Sequence, residues 1–541
     1  MKKTFLLSCL MLAAMPVMAA YTGHVYVDKN KNGVFDQSEK PLAGIKVSDG
    51  LNVVETAADG SFTLPGHERE RFIFITTPSG YKTFNRHYHK IEKKQSGYDF
   101  DLIPYSGRIR KDGSHRYIHI TDTEIFNTEN HADWVNNVHD YARNEQAAFI
   151  IHTGDICYEK GLKAHIKLMN TENMDCPVFY CIGNHDLVKG KYGEELFESI
   201  YGPVYYSFDA GNVHYVVTPM PGGDHAPGYT SDDVCRWLKN DLTHIRPGTP
   251  VVVFNHDLLT YEDTFIFKSK NAGSINLNEY NLKAWVYGHW HINYMKKQGD
   301  VYSVCTSSLD KGGIDHSTTA FRVMHVDSKG DFTSELRYTY LDKNICIASP
   351  AGVMASGVLP VAVNVYSSVS PVREVLYTCL ADGKPVLKNK RLLQSTDWSW
   401  NGELPLSHKY VGKELTLRVT ARFNNGEIAE AESNFICRTE KAVPLFSADW
   451  DNLSGNAKHS APVSAPLNLP LQLAWTNNVG ANLYMTSPLI HKGKVIVASV
   501  DEDLKGVGHV YALNGKDGTI LWSCPVRNSI KNSIAVDSDI V

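Results

Sequence analysis

The stretch PVFYCIGNHD, residues 177–186, contains an apolar run that ends in a glycine and three polar residues. Val, Phe and Tyr are typical of a buried strand, and a glycine directly after such a run permits a sharp turn. That turn presents Asn184, His185 and Asp186 together where the strand ends. The pattern predicts a sheet whose strand ends carry chemically active side chains.

Four further apolar runs between residues 108 and 342 end in the same way. The runs are RYIHIT, AAFIIHT, PVVVF and LKAWVY, and they are followed by Asp122, Glu124, Asp155, His256, His289 and His291. Helix-like stretches such as HADWVNNVHDYARNE lie between the runs, which predicts a layered α/β domain. Because ligands bind at the carboxyl ends of strands in open α/β sheets, we expect these side chains to converge.

The types of these residues favour metal binding, since carboxylate, imidazole and amide oxygen are all metal ligands. In an extended backbone, residues i and i+2 point to the same side. Asp122 with Glu124, and His289 with His291, are therefore predicted to offer two groups each to one place. Histidines inside or beside the strands, namely His115, His119 and His152, are predicted to be structural.

The ordered set of Asp122, Gly-Asp at 154–155, Gly-Asn-His-Asp at 183–186, His256 and Gly-His-x-His at 288–291 resembles the calcineurin-like metallophosphoesterases. Gly-Asp alone would carry no information, whereas Gly-Asn-His-Asp followed at a distance by Gly-His-x-His is specific. The resemblance implies a central α/β domain, built as a four-layer metallophosphoesterase-like β-sandwich with helices. All-β domains would flank it in a multidomain chain.

The resemblance also implies two divalent metal ions, with Mn, Fe and Zn all open as identities. The implied ligands are Asp155 bridging both ions, Asp122 and His291 on the first, and Asn184, His256 and His289 on the second. His185 would lie near the leaving group as proton donor or charge stabiliser. The implied reaction is hydrolysis of small phosphomonoesters or phosphodiesters, by in-line attack of a metal-bridging hydroxide.

Glu124 departs from the family pattern, which usually has His at this position and Gln in some branches. A ligating glutamate makes the first site harder and more negative, which favours Mn²⁺, Fe or Mg²⁺ over Zn²⁺. A glutamate that does not ligate leaves the first metal weakly held. Both outcomes stay open at the level of sequence.

The flanking segments consist of short strand-like runs separated by Asp, Asn, Gly and Pro. They resemble β-modules that bracket calcineurin-like phosphoesterases in secreted bacterial proteins. In the C-terminal one, Asn424-Asn425-Gly426 predicts a hairpin turn. The predicted divisions are a signal peptide at 1–20, an N-terminal β-sandwich at 21–106, the phosphoesterase-like domain at 107–343, an Ig-like β-sandwich at 344–441, and a partial β-propeller-like segment at 442–541.

The last of these segments is similar to repeats of pyrroloquinoline-quinone-type β-propellers. The resemblance rests on Ser487-Pro488, Tyr511-Ala512-Leu513, Gly518 and Trp522. One blade and part of a second cannot bury both of their faces alone, so the segment either packs on the rest of the chain or continues beyond it. A quinone-dependent dehydrogenase is excluded as the function of this chain, because that cofactor needs several blades.

A candidate calcium loop lies in the N-terminal segment. Residues Asp28, Asn30, Asn32, Asp36 and Glu39, with Gly33 between them, fit the spacing of a calcium-binding loop. The surrounding sequence is β-like, which resembles calcium loops of extracellular β-modules more than an EF-hand. The alternative is a polar hairpin turn rich in Asp and Asn.

The first residues, MKKTFLLSCLMLAAMPVMAA, predict a secretory signal peptide and export to the bacterial periplasm or cell surface. Cys9 leaves a lipoprotein as the alternative. The other nine cysteines form no disulfide framework, with Cys176 and Cys181 open as a pair. No internal apolar run is long enough to span a bilayer. The net charge of −5 disfavours long nucleic acid as a partner.

Two functions of different classes follow. The first is an exported metal-dependent phosphoesterase, a hydrolase acting on phosphoric ester bonds. The second is a non-catalytic surface binding or scaffold protein with a degenerate metal site, which Glu124 and the several β segments favour. Substrate choice is expected to depend on loops at 187–202, 219–232 and 258–280.

Overall fold

The computed structural model describes residues 20–440, 449–461 and 473–541. The predicted signal peptide lies outside these ranges apart from Ala20. Within them, no helix is both long and apolar enough to cross a membrane. The molecule is rich in β-sheet and contains few helices.

The N-terminal domain consists of two small sheets over one apolar core. Its strands are β1 (Tyr21–Val27), β2 (Lys40–Pro41), β3 (Lys46–Ser48), β4 (Val53–Glu55), β5 (Ser61–Leu64), β6 (Phe72–Ile75), β7 (Tyr81–Thr83), β8 (Tyr88–Lys90) and β9 (Phe100–Pro104). One sheet has the order β2-β1-β9-β7 with β5 paired to β1, and the other has the order β4-β3-β6-β8. Val25, Val47, Ile73 and Phe100 are fully buried between them.

The central domain alternates strands and helices. Its elements are β10 (His115–Ile120), α1 (Ala132–Asn144), β11 (Phe149–His152), α2 (Tyr158–Leu168), β12 (Val178–Tyr180), α3 (Glu195–Tyr201), β13 (Tyr206–Ala210), β14 (Val213–Val217), α4 (Ser231–Thr243), β15 (Val251–Phe254), β16 (Ile266–Lys268), β17 (Ser274–Asn276), β18 (Leu282–Tyr287), β19 (Tyr294–Gln298), β20 (Val301–Cys305), β21 (Ala320–Val326) and β22 (Phe332–Tyr338).

Two sheets form the core of this domain, in the orders β12-β11-β10-β21-β22 and β13-β14-β15-β18-β20-β19. Strands β10, β11 and β12 run parallel, as do β14, β15, β18 and β20. Aromatic rings from both sheets meet in one core, where the ring of Phe149 lies 5.0 Å from that of Tyr215. Because parallel strands end at the same edge, the loops after β10, β11, β12, β15 and β18 lie together.

Helices cover the sheets through faces with helical spacing. Trp134, Val138 and Tyr141 of α1 are buried against the first sheet. Trp237 and Leu238 of α4 are buried in the core of the second sheet, so both are packing residues. Helix α4 begins with a capping box, because Asp233 N donates to Thr230 Oγ1 while Thr230 N donates to Asp233 Oδ2.

The C-terminal sandwich consists of two facing antiparallel sheets apart from one parallel pair, β24 with β31. Its strands are β23 (Asn344–Ser349), β24 (Gly352–Ala355), β25 (Gly357–Tyr366), β26 (Val372–Ala381), β27 (Lys384–Arg391), β28 (Leu393–Gln394), β29 (Ser399–Leu406), β30 (Glu414–Phe423) and β31 (Ile428–Arg438). Alternate residues of β30 are buried, which is the period of a half-buried strand. The predicted turn at Asn424-Asn425-Gly426 joins β30 to β31.

The final segment contains one four-stranded antiparallel sheet. Its strands are β32 (Leu489–His491), β33 (Lys494–Ala498), β34 (His509–Asn514) and β35 (Ile520–Pro525). Side chains of this segment contact the central domain and the sandwich, for example Asn482 with Asp397. The segment is therefore packed on the rest of the chain, as one of the two alternatives expected. Its kinship with propeller repeats stays a prediction.

Cys176 and Cys181 are both free and buried. They lie in different apolar clusters, Cys176 with residues of α1 and Cys181 with residues of the second sheet. The open alternative of a disulfide between them is therefore wrong.

Candidate metal centre

Five loops bring the seven candidate ligands to one edge of the central domain. Each loop follows the end of a strand: β10, β11, β12, β15 or β18. The ligands they carry are Asp122, Glu124, Asp155, Asn184, His256, His289 and His291. The side chains that follow the strand ends therefore lie close together, as expected.

The backbone at these ligands is not extended, so the extended geometry predicted for the i, i+2 pairs is wrong. Asp122 and Glu124 have φ of 50° and 43°, and His289 and His291 have φ of 62° and 50°. These are left-handed conformations, which cost energy for residues other than glycine and cluster at functional sites. The side chains still converge, because each pair lies beyond its strand, where the loop turns.

Glycines make this close approach possible. A Cβ added at Gly288 would lie 1.9 Å from Thr121 Oγ1 and 2.6 Å from Asp122 Oδ2. A Cβ at Gly183 would lie 2.2 Å from Asp155 Oδ1. Neither position has room for a side chain, so the motif glycines bring the ligand loops together.

The ligand atoms lie at distances suited to shared cations. His291 Nε2 lies 3.4 Å from Asp122 Oδ1 and 3.6 Å from Glu124 Oε1. Asp155, His256 and His289 each offer one ligand atom within 4.8 Å of the others. His256 Nε2 lies 3.1 Å from Asp155 Oδ2 and 3.9 Å from Asp122 Oδ1, so the two groups are adjacent.

Three of these ligand atoms are buried yet lack a hydrogen-bond partner among the residues that the structure describes. They are Asp122 Oδ1, Asn184 Oδ1 and His256 Nε2, whose contact with Asp155 Oδ2 at 3.1 Å is an ion pair without hydrogen-bond geometry. A buried polar atom without a partner is costly, and it is unusual for several to occur in one place. Oxygen and nitrogen donors left free in this way fit divalent cations, so the residues present fit the metal centre implied by the motifs.

Residues 115–293 match the model of a family described as Calcineurin-like phosphoesterase, and residues 29–104 match the model described as N terminal of Calcineurin-like phosphoesterase. Residues 115–293 are therefore similar to the calcineurin-like phosphoesterases. The predicted resemblance is thus confirmed for the central domain.

Relatives and solved structures give weaker likenesses. Purple acid phosphatase 13 from Arabidopsis thaliana is 26% identical over 215 residues, 37% of this chain and 36% of that protein. The chain thus spans about a third of that relative's length. A conserved uncharacterized protein of Streptococcus pneumoniae, described as a predicted phosphoesterase, has 12% identity and a TM-score of 0.20, over 42% of this chain and 98% of its own. CopC from Methylosinus trichosporium has 13% identity and a TM-score of 0.15, over 18% of this chain and 99% of its own.

Neighbouring groups orient the candidate ligands of the central domain. His256 Nδ1 lies 2.7 Å from the backbone oxygen of Thr153. Donation from Nδ1 fixes the tautomer and leaves Nε2 free to ligate. Asp186 accepts hydrogen bonds from the backbone N–H groups of Asp155, Cys157 and Gly183, and so holds two ligand loops together.

The charges of the centre shift its pKa values. Burial lowers the pKa of His256, but the carboxylate of Asp155 outweighs burial and raises it to about 9. Burial raises the pKa of Asp155, but the charge of His256 outweighs it and holds that pKa below its ordinary value. Without a metal, the pair therefore favours a protonated His256 beside an ionised Asp155. A bound cation would take the place of the proton on His256.

His185 lies beside the ligands and not among them. Its backbone N–H donates to Asp155 Oδ1 at 3.0 Å, and its Nδ1 lies 2.8 Å from Asp224 Oδ2. Burial lowers the pKa of His185, but the hydrogen bond with Asp224 and the charges of Asp155 and Asp224 outweigh it and raise the pKa. Asp224 was missed from sequence, although it lies in the 219–232 loop, because no motif marks it.

Glu124 has a partner that the sequence did not indicate. Lys311 Nζ donates to Glu124 Oε2 at 2.7 Å and to the backbone oxygen of Glu124 at 3.2 Å. Glu124 Oε1 faces His291. One carboxylate oxygen of Glu124 is therefore held by an ammonium group, and the other faces the imidazole of His291.

The histidines predicted to be structural have hydrogen-bond partners inside the domain. His115 contacts the hydroxyl of Tyr215, and His119 contacts the hydroxyls of Thr153 and Thr306. His152 Nδ1 accepts from the backbone N–H of Gly154. None of the three faces the ligand cluster with a free nitrogen within the described part of the domain.

The candidate calcium loop is folded around its own side chains. Asp28 accepts from the backbone N–H groups of Lys31 and Gly33, and Glu39 accepts from those of Lys29 and Asp36. The amides of Asn30 and Asn32 both donate to Asp36 Oδ2. These bonds are those of a polar turn, and calcium binding stays a prediction.

A second group of metal-ligand type lies in the N-terminal domain, where Asp49, His67 and Glu70 come within 4.8 Å. Unlike the atoms of the candidate metal centre, the potential ligand atoms of this group already make hydrogen bonds. Asp49 Oδ1 accepts from the backbone N–H of Asn52, Glu70 Oε2 from that of His67, and His67 Nε2 bonds the backbone oxygen of Asp49. Internal hydrogen bonds thus account for this group.

Proposed function

We propose that the protein is an exported phosphoesterase that uses two divalent metal ions to hydrolyse small phosphomonoesters or phosphodiesters, on a four-layer scaffold of helices and sheets. The observation that supports the proposal is the trio of buried ligand atoms that make no hydrogen bond, on Asp122, Asn184 and His256, beside the Asp155 carboxylate. The family match of the central domain supports the same reaction class.

The residues divide the work as follows. Asp155 would be shared by two ions, with Asp122 and His291 holding the first and Asn184, His256 and His289 holding the second. Two bound divalent ions would supply neutralisation of phosphate charge and a nucleophile at neutral pH.

His185 is the group placed to donate a proton to the leaving alcohol. Asp224 fixes the ring through Nδ1 at 2.8 Å, which leaves Nε2 to face the substrate. The Asp224 hydrogen bond and the charges of Asp155 and Asp224 raise the pKa of His185, which favours the protonated form that a proton donor requires. Glu124 would offer Oε1 to the first ion, with Lys311 balancing its charge.

The test measures metal content and turnover on one sample. Purified protein supplied with Mn²⁺, Fe²⁺, Zn²⁺ or Mg²⁺ should bind close to two ions per chain and release product from a panel of mono- and diesters. Asp155→Asn and His289→Ala should each lower kcat/KM by at least about 100-fold, because each removes a ligand. His408→Ala, at an exposed histidine of the C-terminal sandwich, is the matched control.

Full activity in Asp155→Asn or His289→Ala would contradict the proposal. Export is checked separately by N-terminal sequencing of protein recovered from the periplasm or cell surface. We expect a mature chain that begins near Ala20 or Tyr21, and a retained Met1 would contradict export.

A non-catalytic binding role is the second candidate, and the Lys311 contact favours it. An ammonium 2.7 Å from Glu124 Oε2 competes with a cation for that carboxylate. This candidate expects fewer than two ions per chain and no turnover with any of the four metals. The same measurement therefore separates the two functions.

A further inference from the structure

Two large aromatic side chains lie exposed beside the proposed metal centre. Phe126 is 57% exposed and Tyr158 is 43% exposed. Their rings are stacked, with centroids 6.3 Å apart and planes 16° from parallel. Burial of such rings is favourable, so a stacked pair left in solvent at the mouth of a site indicates a surface for a ligand.

The backbone that presents Tyr158 is strained. Cys157 and Tyr158 have φ of 75° and 54° at the start of α2, a conformation rare for a bulky residue. Asp186 holds the segment by accepting the backbone N–H of Cys157 at 2.8 Å. Backbone strain of this kind persists where the surrounding structure maintains it, often at functional sites. Because the strain here leaves the ring of Tyr158 exposed, it indicates a role for that ring.

A glycine lets the two aromatic loops meet. A Cβ at Gly161 of α2 would lie 2.3 Å from the backbone oxygen of Ile125 and 2.7 Å from that of Ile156. The start of α2 therefore packs directly on the loop after β10. This contact places Phe126, the next residue after Ile125, against Tyr158.

The stacked pair lies on the side of the centre where the leaving group is expected. The ring of Tyr158 lies 5.4 Å from that of His185, and its hydroxyl lies 3.4 Å from His185 Nδ1. Phe126 is two residues beyond Glu124. A group bonded to the leaving oxygen, next to His185, would thus reach both rings.

We propose that Phe126 and Tyr158 form a stacking surface for a planar ring in the leaving alcohol of the ester, as in an aryl or nucleoside phosphate. The inference rests on the proposed function. In the hydrolysis, the P–O bond to the ring-bearing alcohol breaks, the oxygen of water bonds to phosphorus, and the alcohol oxygen takes a proton. Stacking binds that alcohol portion and selects flat leaving groups.

The test compares two esters that differ in planarity and little in size or acidity: benzyl phosphate and cyclohexylmethyl phosphate, or their methyl diesters if the protein cleaves only diesters. Wild type should have a higher kcat/KM for the benzyl ester by about three- to tenfold. Phe126→Leu and Tyr158→Leu, which keep apolar volume without a flat face, should each bring that ratio close to one. Phe84→Ala, at an exposed phenylalanine of the N-terminal domain, should keep the wild-type ratio.

A wild-type ratio near one, or ratios unchanged in both leucine variants, would overturn the stacking surface while leaving the phosphoesterase standing. If metal-loaded wild type hydrolyses neither phosphomonoesters nor phosphodiesters, the proposed function is overturned, and the stacking inference with it. Circular dichroism and metal content on each variant distinguish a lost surface from a misfolded one.

Discussion

Most candidate ligands at the centre have a backbone conformation that is unfavourable for residues other than glycine. Five of the seven candidate ligands have left-handed backbone: Asp122, Glu124, Asp155, His289 and His291. Each such residue costs on the order of 1 kcal/mol. The cost is offset by the hydrogen bonds and close contacts between loops, such as the backbone N–H of His289 donating to Asp122 Oδ2 at 3.0 Å. Small changes in these loops should therefore move ligands.

Adjacent glycines allow a matched test of this sensitivity. A Cβ at Gly223 would lie 2.4 Å from the backbone oxygen of Asn184, whereas a Cβ at Gly222 meets nothing within 4 Å. We expect Gly223→Ala to shift Asn184, reduce metal content and lower kcat/KM by about tenfold or more. Gly222→Ala should match wild type in both measurements. Equal behaviour of the two variants would contradict the role given to Asn184.

At the scale of elements, a buried charged pair joins a helix to a strand. His214 of β14 lies 2.8 Å from Asp241 Oδ2 of α4 through Nε2, and 2.7 Å from Asp209 Oδ1 through Nδ1. Burial lowers the pKa of His214, but Asp241 outweighs it and raises the pKa. Burial raises the pKa of Asp241, but His214 outweighs it and lowers the pKa.

This pair should make stability depend on pH with a definite sign. The raised pKa of His214 contributes stability that is full below about pH 6.5 and is lost as pH rises through its folded pKa. The lowered pKa of Asp241 contributes stability that is full above about pH 4 and is lost in acid. Asp241→Asn should therefore lower the unfolding midpoint in denaturant more at pH 5.5 than at pH 9.5. An equal loss at both values would contradict the charged pair.

At the scale of the whole molecule, buried ion pairs join the final segment to the central domain. Arg322 of β21 is fully buried and contacts Asp503 and Ser334. Lys531 Nζ lies 2.6 Å from Asp315 Oδ2 and 2.6 Å from Glu502 Oε1. The sheet of the final segment could not bury both of its faces alone. These contacts attach it to the central domain.

Removal of one partner should leave a buried charge uncompensated. We expect Asp503→Ala to cost about 3–5 kcal/mol of unfolding free energy, and Arg322→Met with Asp503→Leu to recover much of that loss. Arg418→Met, which breaks a half-exposed pair with Glu432, should cost less than about 1 kcal/mol. Denaturant titration of the four proteins gives the comparison. A loss in Asp503→Ala no larger than in Arg418→Met would show that the final segment does not depend on this contact.

The sequence by itself determined the strand ends of the central domain and the order of the residues that follow them. Apolar runs and the glycines after them are local signals, and parallel strands necessarily bring their carboxyl ends together. These signals are sufficient to assign Asp155, Asn184 and His289 to one place. The two-sheet sandwich after residue 344 follows from equally local alternation.

Only the tertiary structure decided which side chains complete these groups and how the backbone presents them. Asp224 meets His185 from 39 residues away, and Lys311 meets Glu124 from 187 residues away. No local pattern specifies such contacts, because they depend on how separate loops fold over the same edge. The left-handed backbone at Asp122 and His289 is likewise fixed by contacts between loops, which overrule the extended conformation that a neighbouring strand suggests.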